Sequence, residues 1–215
     1  MIIADGGREQ LTEWLGGPRH LFDVEGEPLL HRTVRQFSSH GEVIILGPPE
    51  YEIPPAETIQ PDQCVEWCGV AMLAKALPHV ADRNRTNLVF GDVWFSDKAV
   101  DTIVGYESEE WRIFGRPKPS QITGTGWGEY FCISLWPEHK ELLHMAMYRA
   151  FGHWRDGSPR LSPWEVYHAM EGMPMTVGHG NPVPTGPHWV TIDDWTDDFD
   201  FPEDVVRWKA RRPKS

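Results

Sequence analysis

At 215 residues, with 40% hydrophobic side chains and 11 Trp, 9 Phe and 5 Tyr, the chain is long enough to bury one sizeable core and too apolar to stay disordered. Its formal charge of -12 excludes a protein that coats nucleic acid through phosphate contacts, because that mode needs clustered Lys and Arg to release counterions. Cys64, Cys68 and Cys132 form no C-x-x-C pair, no apolar run is long enough to span a bilayer and no leader-like stretch opens the chain, so the expected setting is the reducing cytoplasm, away from membranes.

In chain order, residues 1–4 read as a first strand that runs into Asp5-Gly6-Gly7-Arg8, where paired glycines permit a phosphate-sized turn. Pro28 stands where a helix begins, ahead of Leu30, Val34 and Phe37 at helical spacing. Residues 43–46 read as a buried strand closed by Gly47-Pro48-Pro49, and 65–77 as a helix ended by Pro78. A strand over 87–90 leads into Gly91-Asp92, and Ser96 caps a helix through 104. Strands follow over 111–114 and 130–135, then a long helix over 137–154. Ser162-Pro163-Trp164-Glu165 has the capping-box pattern of a helix running toward residue 170, and 188–192 is a late strand. Pro202-Glu203-Asp204 opens a last helix with acids at its positive end and Arg207, Lys209 and Arg211 toward the other. Helices alternating with strands predict an α/β domain with a mostly parallel sheet. The acids Asp193, Asp194, Asp197, Asp198, Asp200, Glu203 and Asp204 are interleaved with Trp195, Phe199, Phe201 and Pro202, which reads as a solvated loop anchored at intervals.

Three stretches carry candidate chemistry. The first is Gly17-Pro18-Arg19-His20-Leu21-Phe22-Asp23-Val24-Glu25-Gly26-Glu27-Pro28-Leu29-Leu30. The second is Asn87-Leu88-Val89-Phe90-Gly91-Asp92, an apolar run that delivers a carboxylate at a strand's carboxyl end, where open α/β sheets bind ligands; an ordinary turn Asp is the other reading. The third is Asp198-Phe199-Asp200-Phe201-Pro202-Glu203-Asp204. In this order they resemble the nucleotidyltransferases of the GT-A type, whose motifs are a Gly-rich loop, a Pro-Lys-x-Leu stretch ahead of a Val-x-Gly-x-Pro-Leu-Leu helix entry, a Gly-Asp at a strand end and a late Asp-x-Asp-Thr-Pro-Glu-Asp-Leu. The resemblance spans residues 1–207 in scattered motifs. It implies a three-layer α/β/α Rossmann-like fold, a mixed and mostly parallel sheet with helices on both faces, formed by residues 1–215 as one domain with an irregular acceptor-side insert over about 105–185.

The same resemblance assigns roles. Ala4, Gly6 and Gly7 wrap phosphates through backbone N–H groups, and Gly69 and Ala71 contact the base, although packing explains a Gly and an Ala in a helix equally well. Arg8, Arg19 and Asp92 are the catalytic set, Arg19 standing where the family has Lys and thus keeping charge with forked geometry. Asp92 and Asp200 hold Mg²⁺ or Mn²⁺, a hard cation suited to one or two carboxylates plus phosphate oxygens. Arg116, Lys118, Trp127 and Glu129 sit in Gly/Pro-rich loops that shape an acceptor pocket. The departures are a Gly loop shorter than the family's with Asp5 inside it, and Phe201 in place of the Thr that caps the last helix.

The expected reaction is metal-dependent nucleotidyl transfer from a nucleoside triphosphate to a sugar phosphate or related phosphorylated acceptor, releasing pyrophosphate. Two alternatives stay open: a glycosyltransferase passing a sugar from a nucleotide sugar to a hydroxyl, on a macromolecule such as DNA among others, and a non-catalytic nucleotide-binding domain. Ten histidines invite a zinc reading, but His139 and His144 are five apart and His179 and His188 flank a Pro/Gly loop, so no pair has zinc-like spacing. The chain also lacks a Gly-x-Ser-x-Gly elbow, a Walker loop and a Rossmann fingerprint, which removes the hydrolase, P-loop and NAD readings tied to them.

Overall fold

The computed structural model describes residues 2–3, 17–60, 69–158, 161–175 and 184–211. Seven strands form the central sheet: β1 (Ile2–Ile3), β4 (Ile44–Leu46), β5 (Glu57–Ile59), β6 (Thr86–Phe90), β8 (Arg112–Arg116), β9 (Glu129–Leu135) and β10 (Trp189–Thr191), in the order β10-β8-β9-β6-β1-β4-β5. A hairpin, β2 (Asp23–Val24) with β3 (Glu27–Pro28), and a short ladder, β7 (Val93–Trp94) with β11 (Asp197–Asp198), stand apart from it. All the sheet's pairings are parallel except the two made by β9, which runs against β6 and β8. The sheet is therefore mixed and mostly parallel, as expected.

Alternation along the strands sends apolar side chains to both faces, which is why helices cover both. Ile2, Ile45, Val89, Phe114 and Cys132 pack with α1 (Leu29–Ser38) and α3 (Asp97–Gly105) on one side. Leu46, Leu88, Ile113 and Ile133 pack on the other with α2 (Gly69–Ala76), α4 (Lys140–Arg155) and α5 (Pro163–Met170). A third, smaller cluster of Val24, Leu29, Trp94, Phe199, Val205 and Trp208 joins the hairpin and the β7–β11 ladder to α6 (Pro202–Arg211).

Local chemistry sets the helix ends. Ser96 Oγ accepts from the Ala99 amide at 2.9 Å, and Ser162 Oγ with Glu165 forms the expected capping box. Pro28 precedes α1, where its missing N–H costs nothing. Pro78 does not stop the chain abruptly: it is absorbed into a 3-10 turn, Leu77–His79, that follows α2. Phe201 cannot cap α6 through its side chain, but its amide donates to Asp204 Oδ2 at 2.8 Å. Half of a capping box is thus kept by the acid inside the helix.

Among the described residues, the stretch 105–185 supplies β8, β9, α4 and α5. One expectation needs correction. The late acidic segment is not a solvated loop: Asp197, Asp198 and Asp204 are buried. Asp197 Oδ1 is ion-paired to Arg116 Nη2 at 2.8 Å, and its Oδ2 accepts from the Thr123 hydroxyl at 3.0 Å and from the Ser120 hydroxyl. Charge counting along a chain cannot see such partners, which come from residues more than 70 positions away.

Candidate active site

The site lies along one edge of the sheet. Asp92 follows the carboxyl end of β6, and because β9 runs antiparallel its first residue, Glu129, lies opposite the last residue of β8, Arg116. Strand ends from opposite chain directions therefore deliver side chains to the same edge. The β7–β11 ladder brings in the late acids: Asp198 pairs with Val93, and the Phe199 amide donates to the Asp92 carbonyl at 3.2 Å. Phe199 is buried against Trp208, ring centroids 5.7 Å apart. In extended backbone successive side chains point to opposite sides, so anchoring Phe199 in the third cluster turns both Asp198 and Asp200 toward the sheet edge.

Glu129, Asp198 and Asp200 each bring a carboxylate oxygen within 4.8 Å of the others, the only such group of three metal-capable side chains among the described residues. Asp198 is 8% exposed, and its Oδ1 accepts no hydrogen bond among the described residues. Burial pushes its carboxyl well above the ordinary range, and the charges of Glu129, Asp200, Asp197 and Asp92 push it further. Burial and then the charge of Asp200 raise Glu129 to about 8, against the opposing effects of Arg116 and of the Trp127 indole N–H, which donates to Glu129 Oε1. Crowded carboxylates with an orphaned oxygen are poorly solvated as they stand and are chemically a hard-cation donor set.

Arg19 faces this group. It lies on a 3-10 turn, Arg19–Leu21, is 6% exposed, and reaches Asp92 Oδ2 through Nη2 at 2.6 Å and Asp200 Oδ1 through Nη1 at 3.4 Å. The structure thus brings Arg19, Asp92 and Asp200 together around one guanidinium. Arg116 is spent inside the protein: besides Asp197 it donates to the carbonyls of Trp127, at 3.1 Å, and Lys118. It fixes the loop that carries Trp127 and Glu129. That loop needs Gly128, where a Cβ would fall 2.6 Å from the Arg116 carbonyl oxygen. Lys118 and Trp127 are exposed on the same loop.

Ala4, Gly6, Gly7 and Arg8 lie outside the described residues. Gly69 has a packing reason to be glycine, since a Cβ there would meet the Pro163 ring at 2.5 Å; Ala71 follows on the same helix. Asp198 is the residue that sequence reasoning passed over. Its signal was present in Asp198-Phe199-Asp200, where a buried aromatic between two acids in extended backbone implies that both acids share a side.

No family model and no curated protein matches the sequence, whereas solved structures match along almost its whole length. A 2-C-methyl-D-erythritol 4-phosphate cytidylyltransferase from Thermus thermophilus superposes with a TM-score of 0.59 at 16% identity, covering 98% of this chain and 96% of that one. A hypothetical transferase from the same organism gives 0.56 at 20% identity, covering 95% and 98%. The CTP:phosphocholine cytidylyltransferase from Streptococcus pneumoniae gives 0.55 at 12% identity, covering 98% and 97%.

Proposed function

This chain has the three-layer fold of the nucleotidyltransferases, and on that premise we propose that it is an enzyme transferring a nucleotidyl group from a nucleoside triphosphate to a phosphorylated acceptor, releasing pyrophosphate. The observation that carries the proposal is the convergence of Asp92, Glu129, Asp198 and Asp200 with buried Arg19 at the sheet's ligand-binding edge. Buried like charges cost stability, so this grouping of carboxylates around one guanidinium supports a role in phosphate chemistry at that edge.

In the proposed reaction an oxygen of the acceptor's phosphate attacks the α-phosphorus. A P–O bond forms there, the bond to the bridging α–β oxygen breaks, and pyrophosphate leaves with the electron pair. Asp200 and Asp198, with Asp92 or Glu129, would hold a divalent cation, Mg²⁺ or Mn²⁺; when bound it neutralises charge on the phosphate oxygens. The donor set fits that role, because Asp198 Oδ1 is buried and unpartnered among the described residues. Arg19 neutralises Asp92 and Asp200 in the free protein, and incoming phosphates offer its fork an alternative, bidentate partner. By the family resemblance Gly6, Gly7 and Arg8, which lie outside the described residues, would supply the phosphate cradle, and Arg8 and Arg19 the charge that meets the departing pyrophosphate. Lys118 and Trp127 flank the acceptor side.

The test is pyrophosphate release from a panel of nucleoside triphosphates paired with sugar phosphates and phosphorylated alcohols, with Mg²⁺ or Mn²⁺, for wild type, Asp92→Asn and Asp198→Asn. Release that needs both a phosphorylated acceptor and the cation, and falls at least about 100-fold in each variant, supports the proposal. Sugar transfer from a nucleotide sugar in place of pyrophosphate release moves the chain to glycosyl transfer. Binding of nucleotide with neither reaction leaves a non-catalytic domain.

A further inference from the structure

The loop between β8 and β9 is anchored from both sides. Inside, Ser120, Thr123 and Thr125 are buried, the Ser120 amide donates to the Thr125 carbonyl at 2.9 Å, and the Ser120 and Thr123 hydroxyls donate to Asp197. Outside, α6 holds it through Arg207 Nη1, which donates to the Thr123 carbonyl at 3.2 Å, and Arg211 Nη1, which donates to the Gln121 carbonyl at 2.6 Å. Arg116 fixes the Trp127 carbonyl at 3.1 Å. Connecting loops are ordinarily mobile; this one is tied down, and the large apolar side chain it carries toward the site, Trp127, is 37% exposed. Trp127 stands between Gly126 and Gly128, and among the described residues nothing lies within 4 Å of the position a Gly126 Cβ would take, so the space beside the indole is open.

One edge of that indole is engaged and its faces are not. The N–H donates to Glu129 Oε1, and Glu129 belongs to the group whose carboxylate oxygens lie within 4.8 Å of one another, so the ring stands beside the carboxylates in a set orientation. Among the described residues its faces stack on no other aromatic ring and lie under no cation. An aromatic side chain held this way offers contact area at little conformational cost. Its place in the sheet says which ligand it meets. Asp92 follows β6, which has β1 on one side and β9 on the other. The helix α2, with Gly69 and Ala71, packs over β1 and β4, whereas Trp127 comes two residues before β9 begins. A nucleoside seated on the α2 side of Asp92 leaves the Trp127 side to the acceptor.

We propose that Trp127 selects the acceptor by stacking on the apolar face of a saturated ring, so that the acceptor is a cyclic sugar or cyclitol phosphate and not an acyclic phospho-alcohol. This rests on the nucleotidyl-transfer reading above. Such a ring suits the place on two counts. The C–H bonds on its face meet the indole, and the hydroxyls around its rim donate to carboxylate oxygens, of which Glu129 is fixed beside the indole by the same hydrogen bond. A quaternary ammonium also favours indole, but it is recognised by several rings set around it, and Trp127 pairs with no second ring among the described residues.

Initial rates of pyrophosphate release with Mg²⁺ compare hexose phosphates and inositol phosphate with the phosphates of glycerol, erythritol and choline, for wild type, Trp127→Leu and Trp127→Phe. Wild type is expected to favour its best ring acceptor over its best acyclic one by about tenfold in kcat/KM, the worth of one good aromatic contact. Trp127→Leu should lose that preference, and Trp127→Phe, which keeps a ring without the N–H, should retain most of it. Equal losses in the two variants would mean that only the hold on Glu129 matters and would overturn the proposal, as would a wild type that prefers an acyclic acceptor, choline phosphate included. Saturation-transfer NMR of the ring phosphates on the full chain, with Mg²⁺ and a panel of α,β-imido nucleoside triphosphates, reads the stacking without turnover. Ring C–H protons should be saturated by wild type and Trp127→Phe, and not by Trp127→Leu. That pattern without pyrophosphate release from any pairing sinks the nucleotidyl-transfer reading and leaves the stacking surface. Absence of saturation by wild type overturns the stacking surface itself.

Discussion

Replacing Glu129 by Gln is expected to raise the stability of the metal-free protein at pH 8 and to leave it nearly unchanged at pH 4. Glu129 titrates at about 8 in the fold against an ordinary value of 4.5, first because it is buried and then because Asp200 is near. A carboxyl whose folded value is raised binds its proton more tightly folded than unfolded. The stability this provides is complete below pH 4.5, declines as the unfolded chain ionises, and is gone once the pH passes 8. At 1.36 kcal/mol per unit the gap corresponds to about 4–5 kcal/mol, which partial solvent access at Glu129 reduces to about 2–4 kcal/mol. Gln keeps the oxygen that accepts from Trp127 and removes the charge. For a chain of this length the gain at pH 8 is about 5–10 °C in Tm. The assay is thermal unfolding in EDTA at pH 4, 5, 6, 7 and 8. Wild type should lose Tm steadily across that range and Glu129→Gln should be flatter. Equal slopes in the two proteins, or a wild type that gains stability from pH 5 to 8, would refute the account of the carboxylate cluster. Mg²⁺ or Mn²⁺ at pH 8 should restore wild type and do less for the variant, because cation binding displaces the protons that crowding retains.

Arg116→Met strands Asp197, which is fully buried with Arg116 as its counter-charge, and is expected to cost about 3–5 kcal/mol by urea unfolding; a loss under about 1 kcal/mol would mean that the hydrogen bonds from Ser120 and Thr123 suffice. Gly115→Ala places a Cβ 2.4 Å from the Glu129 carbonyl oxygen and 2.6 Å from Tyr130 Cα. Since backbone cannot yield as a flexible side chain can, β8 and β9 separate at a cost of at least about 2–3 kcal/mol, read as lost soluble protein or a lowered Tm. Ser96→Ala removes both the cap of α3 and the 2.8 Å hydrogen bond to Asp194, an expected loss of about 1–2 kcal/mol in the same assay. Cys132 is buried and its thiol is pushed up to about 12, so in a Cys64→Ser, Cys68→Ser background a thiol reagent should label the protein only as fast as it unfolds.

Most helices could be read before any coordinates, because capping is local chemistry. Ser96, the Ser162–Glu165 box and the proline ahead of α1 each act within four residues, and the helices begin where they stand. Six of the seven sheet strands were legible as apolar runs, while β5 and the short strands β2, β3, β7 and β11 were not, and neither were the directions: that β9 runs against β6 and β8 depends on how the chain returns through space, which no window of sequence contains. The candidate site divides in the same way. Asp92 stands out in sequence because it ends an apolar run, whereas Asp200 and Arg19 are reached only through the family resemblance of the motifs that hold them. What only tertiary structure decided is their company. The β7–β11 ladder joins Asp92 to Asp198 and Asp200 across more than 100 residues, Glu129 arrives by strand reversal, and Arg116 is turned inward to Asp197. Sequence settles what is short-ranged, propensity, caps and side-chain alternation, because those energies are made between neighbours along the chain. The charge state and grouping of the carboxylates are made between strangers in sequence, through burial and Coulomb interactions that exist only once the sheet has closed around them.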